Sequence, residues 1–317
     1  MPTLDNLGKI SAVTMVVYIP VLVVATILVC RHGFTRDAGW IFLAIFSLTR
    51  IIGGATLIAA EEIRPVVTTL YIVGIVLESA GLSPLMLATL GFIKTIVQNS
   101  LPNPALFTRA FRLLGLLATI ALALSIYGST ETSPSTVSNG STLRRVGSLL
   151  FLALYLILAA LHGYCWANVA RLMKHRRTLL VAISAALPFL GVRVVYSVLS
   201  AFSGPLSFSG TAAAAPAKTG FLAKFSMLTG SWPIYLCMSV LMELVVVVIY
   251  TTAGARIPLQ QDYVQQAKFA DDEPLYGMGP AGPGYQAPYQ APYAAPYGSS
   301  PYAQQEHIAY APPPPRA

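Results

Sequence analysis

Charge is what this sequence has least of. Only 10% of its 317 residues are Asp, Glu, Lys or Arg, against about 25% in a soluble domain. That shortage excludes an ordinary water-exposed globule. Cysteine is nearly absent too. Cys30, Cys165 and Cys237 all lie within or at the ends of apolar runs, which excludes a disulfide framework and a zinc ligand set. No metal and no other cofactor is expected. Buried free thiols are the expectation, since such a thiol packs as a small hydrophobe; Cys30 and Cys165 are also candidate palmitoylation positions near the predicted cytosolic face. Basic clusters interleaved with aromatic residues are missing as well. The net charge of +8 therefore implies no nucleic-acid partner.

What is present is apolar length. Hydrophobic residues make up 55% of the chain. Seven runs approach or exceed the roughly 20 residues needed to cross a bilayer: 10–30, 39–60, 66–92, 110–127, 146–166, 178–202 and 231–252. Only helices satisfy their backbone internally at such lengths. The predicted fold class is all-α: a polytopic membrane protein with seven transmembrane helices. The first run is too long for a cleavable signal and leads straight into Arg31, so it is expected to be retained. Pro84 and Pro188 are interior enough to kink their helices.

Lys and Arg set the expected orientation. Nine of them (Arg31, Arg36, Lys94, Arg109, Arg112, Arg171, Lys174, Arg176 and Arg177) fall on one side of the predicted spans, and six (Lys9, Arg64, Arg144, Arg145, Lys218 and Lys224) on the other. The excess places the N-terminus outside and the C-terminus inside. Asn139-Gly140-Ser141 is an N-glycosylation pattern in the connection after the fourth run, on the predicted outer side. From residue 256 the composition changes to Tyr and Pro, with Tyr285, Tyr289, Tyr293 and Tyr297 every four residues. Such a stretch cannot bury a core. The expected organisation is a seven-helix domain, 1–255, and a disordered cytosolic tail, 256–317. The tail is a candidate docking segment for a cytosolic protein.

Four charges sit near the centres of apolar runs: Arg50, Glu78, Arg193 and Glu243. Each alone would cost roughly 2.5–3.5 kcal/mol on insertion scales, so they must face one another or a wet cavity. At about 1.5 Å per residue all four lie roughly 14–18 Å below the predicted outer surface. Glu61 to Pro65 alone connect the second and third runs, so Arg50 and Glu78 belong to antiparallel neighbours and can pair. Arg193 and Glu243 repeat that arrangement on the sixth and seventh runs. Two readings follow. The charges form two structural salt bridges, or they line a polar cavity in which the arginines hold an anionic group and a glutamate handles a proton or cation. His162, on the fifth run, is a candidate member of a proton relay.

Four stretches carry a resemblance: Ser47-Leu-Thr-Arg50-Ile-Ile-Gly-Gly54, Glu78-Ser-Ala-Gly-Leu-Ser-Pro-Leu85, Ala186-Leu-Pro-Phe-Leu-Gly-Val-Arg193-Val-Val-Tyr196-Ser197 and Met242-Glu243-Leu244. Over about residues 1–255 the chain resembles a fungal family of seven-span integral membrane proteins known only as a domain of unknown function. The resemblance implies seven spans and makes the four charges family features; it implies no activity. The Schiff-base lysine of rhodopsins is absent from the seventh run, as are the receptor motifs after the third run and in the seventh. The expected function is binding of a small, partly apolar ligand at a charged midplane cavity, as sensor or transporter. The alternatives are an integral-membrane enzyme such as a terpene cyclase, and a scaffolding protein acting through its tail. Membrane lipid is an expected partner. The plasma membrane is the default location, with an endomembrane as the alternative.

Overall fold

A computed structural model of the chain describes residues 5–32, 38–63, 67–97, 104–131, 136–204, 221–226 and 230–257. The chain divides into two units, 1–268 and 269–317, and all the described residues belong to the first. The Tyr/Pro repeats lie outside the described residues.

All the long elements are helices: α1 (Asn6–His32), α2 (Ala38–Glu62), α3 (Thr68–Ala80), α4 (Leu82–Val97), α5 (Pro104–Thr130), α6 (Val137–Ala167), α7 (Lys174–Phe202), a short α8 (Trp232–Tyr235) and α9 (Met242–Arg256). A π-helical turn, Leu236–Leu241, joins α8 to α9. Among the described residues seven stretches are long and apolar enough to cross a membrane, with α3 and α4 sharing the third and α8, the π turn and α9 sharing the seventh. The protein is an all-helical, multi-pass membrane protein.

Sequence accounts for the interruption of the third span. Pro84 has no amide hydrogen, and its ring crowds the carbonyl four residues back, that of Ala80. The helix accordingly ends at Ala80 and restarts at Leu82. The second half, α4, is the axis of the bundle: 14 of its 16 residues are buried, and it packs against α2, α5, α6 and α7. α1 is peripheral. Val13, Val16, Ile19, Val23 and Ile27 all point outward from it, as suits a lipid-facing surface. Glu61 of α2 accepts a hydrogen bond from the Asp5 amide, 3.1 Å. It thereby places a carboxylate at the start of α1, where the helix dipole favours one.

Helix ends overrun the apolar runs, because polarity marks bilayer depth whereas the hydrogen-bond ladder continues beyond it. α6 begins nine residues before the predicted run. Glycines let it close on α5: a Cβ on Gly128 would lie 2.6 Å from the Gly140 oxygen, and one on Gly147 2.9 Å from the Ala121 oxygen. Small residues permit such backbone approach between membrane helices. Asn139 therefore occupies the first turn of α6, exposed, and not an irregular connection. The cysteines also differ from expectation. Cys165 is buried, while Cys30 and Cys237 are exposed. On an outer surface bathed in lipid an apolar thiol needs no protein cover. Burial also denies Cys165 the access that palmitoylation requires.

Candidate functional site: a buried charge network beside a hydroxyl-lined cavity

The four intramembrane charges meet in one network. Arg50 Nη1 lies 2.5 Å from Glu78 Oε1, and Arg193 Nε pairs with Glu243 Oε1. These are the two pairs that depth arithmetic predicted. A third contact, Arg50 Nη2 with Glu243 Oε2, joins them. The Tyr235 hydroxyl donates to Glu78 Oε1. The order is Tyr235, Glu78, Arg50, Glu243, Arg193, drawn from α8, α3, α2, α9 and α7. All four charged residues are at most 5% exposed. Two cations against two carboxylates sum to zero, which is what a low-dielectric interior tolerates.

Local irregularity in the two glutamate-bearing spans makes this geometry. Tyr235 and Glu243 are eight residues apart. On a regular α-helix, at about 100° per residue, they would point roughly 80° apart. The π turn between them holds one extra residue and brings the two side chains onto nearly one face. In the third span the break falls three residues after Glu78. A Cβ on Gly81, at that break, would come within 2.8 Å of Arg50 Nη2, so the absence of a side chain gives the guanidinium its path. Phe46, one turn before Arg50, lies under that guanidinium at 5.3 Å. Tyr18 of α1 packs edge-on against Phe46 at 5.5 Å.

A cavity of about 60 Å³ adjoins the network. Glu78, Arg193 and Tyr235 form its deep end. Ser125 and Ser129 of α5, Ser148 of α6, Ser197 and Ser200 of α7, and Ser239 of the π turn line its walls. Arg144 stands toward the end of the bundle where α6 begins. Its Nη2 donates to the carbonyls of Ser200, 3.1 Å, and Gly204, 2.6 Å, capping the C-terminal end of α7 with a cation. Two groups on the cavity stand out. The Tyr196 hydroxyl and Ser239 Oγ are buried with no hydrogen-bond partner among the described residues. Arg193, which also lines the cavity, uses Nε on Glu243. Unpaired buried donors are costly. A volume of this size takes a few water molecules or a group of a few heavy atoms.

His162 is not brought to this network. Its Nε2 lies 2.9 Å from Ser184 Oγ and accepts from Trp166 Nε1 at 3.1 Å, and it does not line the cavity. With Nε2 accepting, a neutral ring carries its proton on Nδ1. Among the described residues no three His, Cys, Asp or Glu side chains gather as a metal site would need. Sequence reasoning missed Tyr235, Tyr196 and Ser239. Their only signal was a polar tip within an apolar run, a signal that many membrane-helix residues share.

In the opposite half of the bundle, aromatic rings pack together. Trp40 and Phe92 have centroids 4.5 Å apart, and Phe92 and Tyr250 4.9 Å. Thr89 and Tyr250 share a hydrogen bond of 2.9 Å.

The family model described as "Domain of unknown function (DUF7702)" matches residues 4–260. The chain belongs to this family. All four charges, Tyr196, Tyr235 and Ser239 fall within the matched residues. No curated protein and no solved structure matches the chain.

Proposed function

We propose that this protein binds a small, partly apolar ligand in the cavity beside Glu78 and Arg193, as a sensor or transporter. One observation carries the reading: the hydroxyl of Tyr196 and Oγ of Ser239 are left unpaired at the cavity among the described residues, although the four charges beside them are matched in the ion-pair network. A purely structural salt-bridge cluster needs no such surplus of donors. The cavity admits only the polar end of a ligand, with its apolar part lying toward the helices around it. The same reading places the end of the bundle where α6 begins, with the start of α1 and with Asn139 as a glycosylated residue, on the outer face of a fungal membrane, by default the plasma membrane. The two arginines on Glu243 and the arginine and tyrosine on Glu78 count against the cyclase reading, which needs a protonated carboxyl as acid.

The test is a paired small-molecule profile of cells and medium, with and without the protein. Ser148→Leu, which fills the cavity while leaving every charge in place, is the third arm. Transport predicts redistribution of an existing compound that the filled variant loses at equal folded abundance. A precursor accumulating in the absence of the protein would instead indicate an enzyme. Unchanged profiles in all three arms would sink the transport version. Reversing the Arg50–Glu78 pair is a poor control here, because a glutamate at position 50 would face Glu243.

A further inference from the structure

We infer that the polar end of the ligand is an anion, a carboxylate or an equally small planar oxyanion; this rests on the ligand-binding reading above. Charge balance supplies the first argument. Three guanidiniums, those of Arg50, Arg193 and Arg144, stand in the network and the cavity wall, against two carboxylates, Glu78 and Glu243. One positive charge is left over, offset only by the partial charge of the α7 carbonyls that Arg144 caps.

The second argument is the kind of group left unpaired. Arg193 is 4% exposed, bonded through Nε to Glu243, and lines the cavity, so its guanidinium is a positive group held at the cavity wall. The Tyr196 ring lies under that guanidinium, 5.7 Å from the guanidinium carbon, and its hydroxyl is unpaired. Ser239 adds a second unpaired hydroxyl at 1% exposure. A guanidinium flanked by hydroxyl donors suits an acceptor with two oxygens in one plane. Glu78 is the opposing feature, since it also lines the cavity. Its Oε1 is occupied by Arg50 and Tyr235, so its charge is already matched. The cavity of about 60 Å³ takes a head group of a few heavy atoms, with the rest of the ligand outside it.

The test is thermal unfolding of the full chain in lipid nanodiscs at constant ionic strength and chloride. The probes are sodium butyrate, butyramide and butylammonium, which share a chain and differ in head group. Butyrate alone should raise the unfolding temperature, saturably. Tyr196→Phe and Ser239→Ala, which touch no ion pair, should each weaken its apparent affinity by about tenfold, and Arg193→Lys should abolish the effect while keeping the charge beside Glu243. Stabilisation by butyramide or butylammonium, sensitive to the same variants, would overturn the anion assignment and leave the ligand cavity standing. Equal butyrate effects in wild type and in both hydroxyl variants would place binding elsewhere and overturn the assignment. No effect from any probe would count against both readings.

Discussion

The two halves of this bundle are held together by different physics. Around Trp40, Phe92 and Tyr250 the helices meet through rings in contact, and Thr89 and Tyr250 share a hydrogen bond. Around Arg50, Glu78, Arg193 and Glu243 they meet through opposite charges, with a cavity alongside. The ring half depends on shape, and an apolar-walled cavity of about 240 Å³ beside Phe42, Gly91 and Phe111 adjoins it. The charged half depends on pairing and keeps space. In lipid there is little hydrophobic drive between helices, so one membrane protein can use both solutions at different depths.

Glu243→Gln should break the charged half most severely. Glu243 serves both arginines, and its loss leaves Arg193 without a carboxylate and Arg50 with one. The expected cost is about 3–5 kcal/mol, seen as loss of the monodisperse peak in size-exclusion chromatography. Glu78→Gln should cost less, because Arg50 keeps Glu243. A result in the reverse order would mean that Arg50 does not bridge.

Gly254→Ala should break the ring half. A Cβ there would run into the Trp40 ring, at about 1–3 kcal/mol for overpacking, read from thermal unfolding. Gly115→Ala is the matched control: nothing lies within 4 Å of its Cβ position, so helix propensity should make it neutral or slightly stabilising. Equal losses at both sites would show that the ring half is not tightly packed.

Tyr250→Phe removes the shared hydrogen bond and leaves the Thr89 hydroxyl with only its own-helix carbonyl, Leu85. About 1 kcal/mol of destabilisation is expected. Tyr196→Phe should show the smallest effect on stability, under about 0.5 kcal/mol, because its hydroxyl has no partner to lose among the described residues. A large loss there would mean that the hydroxyl is paired and that the cavity lacks one of its donors.

Much of this was legible in the chain before any coordinates. Arg50, Glu78, Arg193 and Glu243 announced themselves because charge is so rare in the runs that hold them. Counting residues from the run ends gave depths close enough to predict both direct pairs. Pro84 marked the interruption of the third span. The Arg50–Glu243 contact was not legible, because it crosses between helices distant in sequence whose lateral order no residue count contains. The π turn at Leu236–Leu241 was hidden as well: its residues are ordinary helix formers, and only the placement of Tyr235 and Glu243 on one face reveals its use. His162 looked like a relay member by depth, but angular position turned it toward Ser184 and Trp166. Asn139 looked like a loop residue by composition, but Gly128, Gly140 and Gly147 extend the α5–α6 contact past it.

The sequence by itself determined the number of spans and the depth of each buried charge, because hydrocarbon penalises every polar group according to its position along the helix. It did not determine which carboxylate each arginine shares, or where a void remains. Core-facing and lipid-facing surfaces are alike apolar here, so hydrophobicity carries little information about rotation or neighbours. Those were decided by the packed bundle, through glycine contacts, the break at Gly81 and the one-residue excess of the π turn.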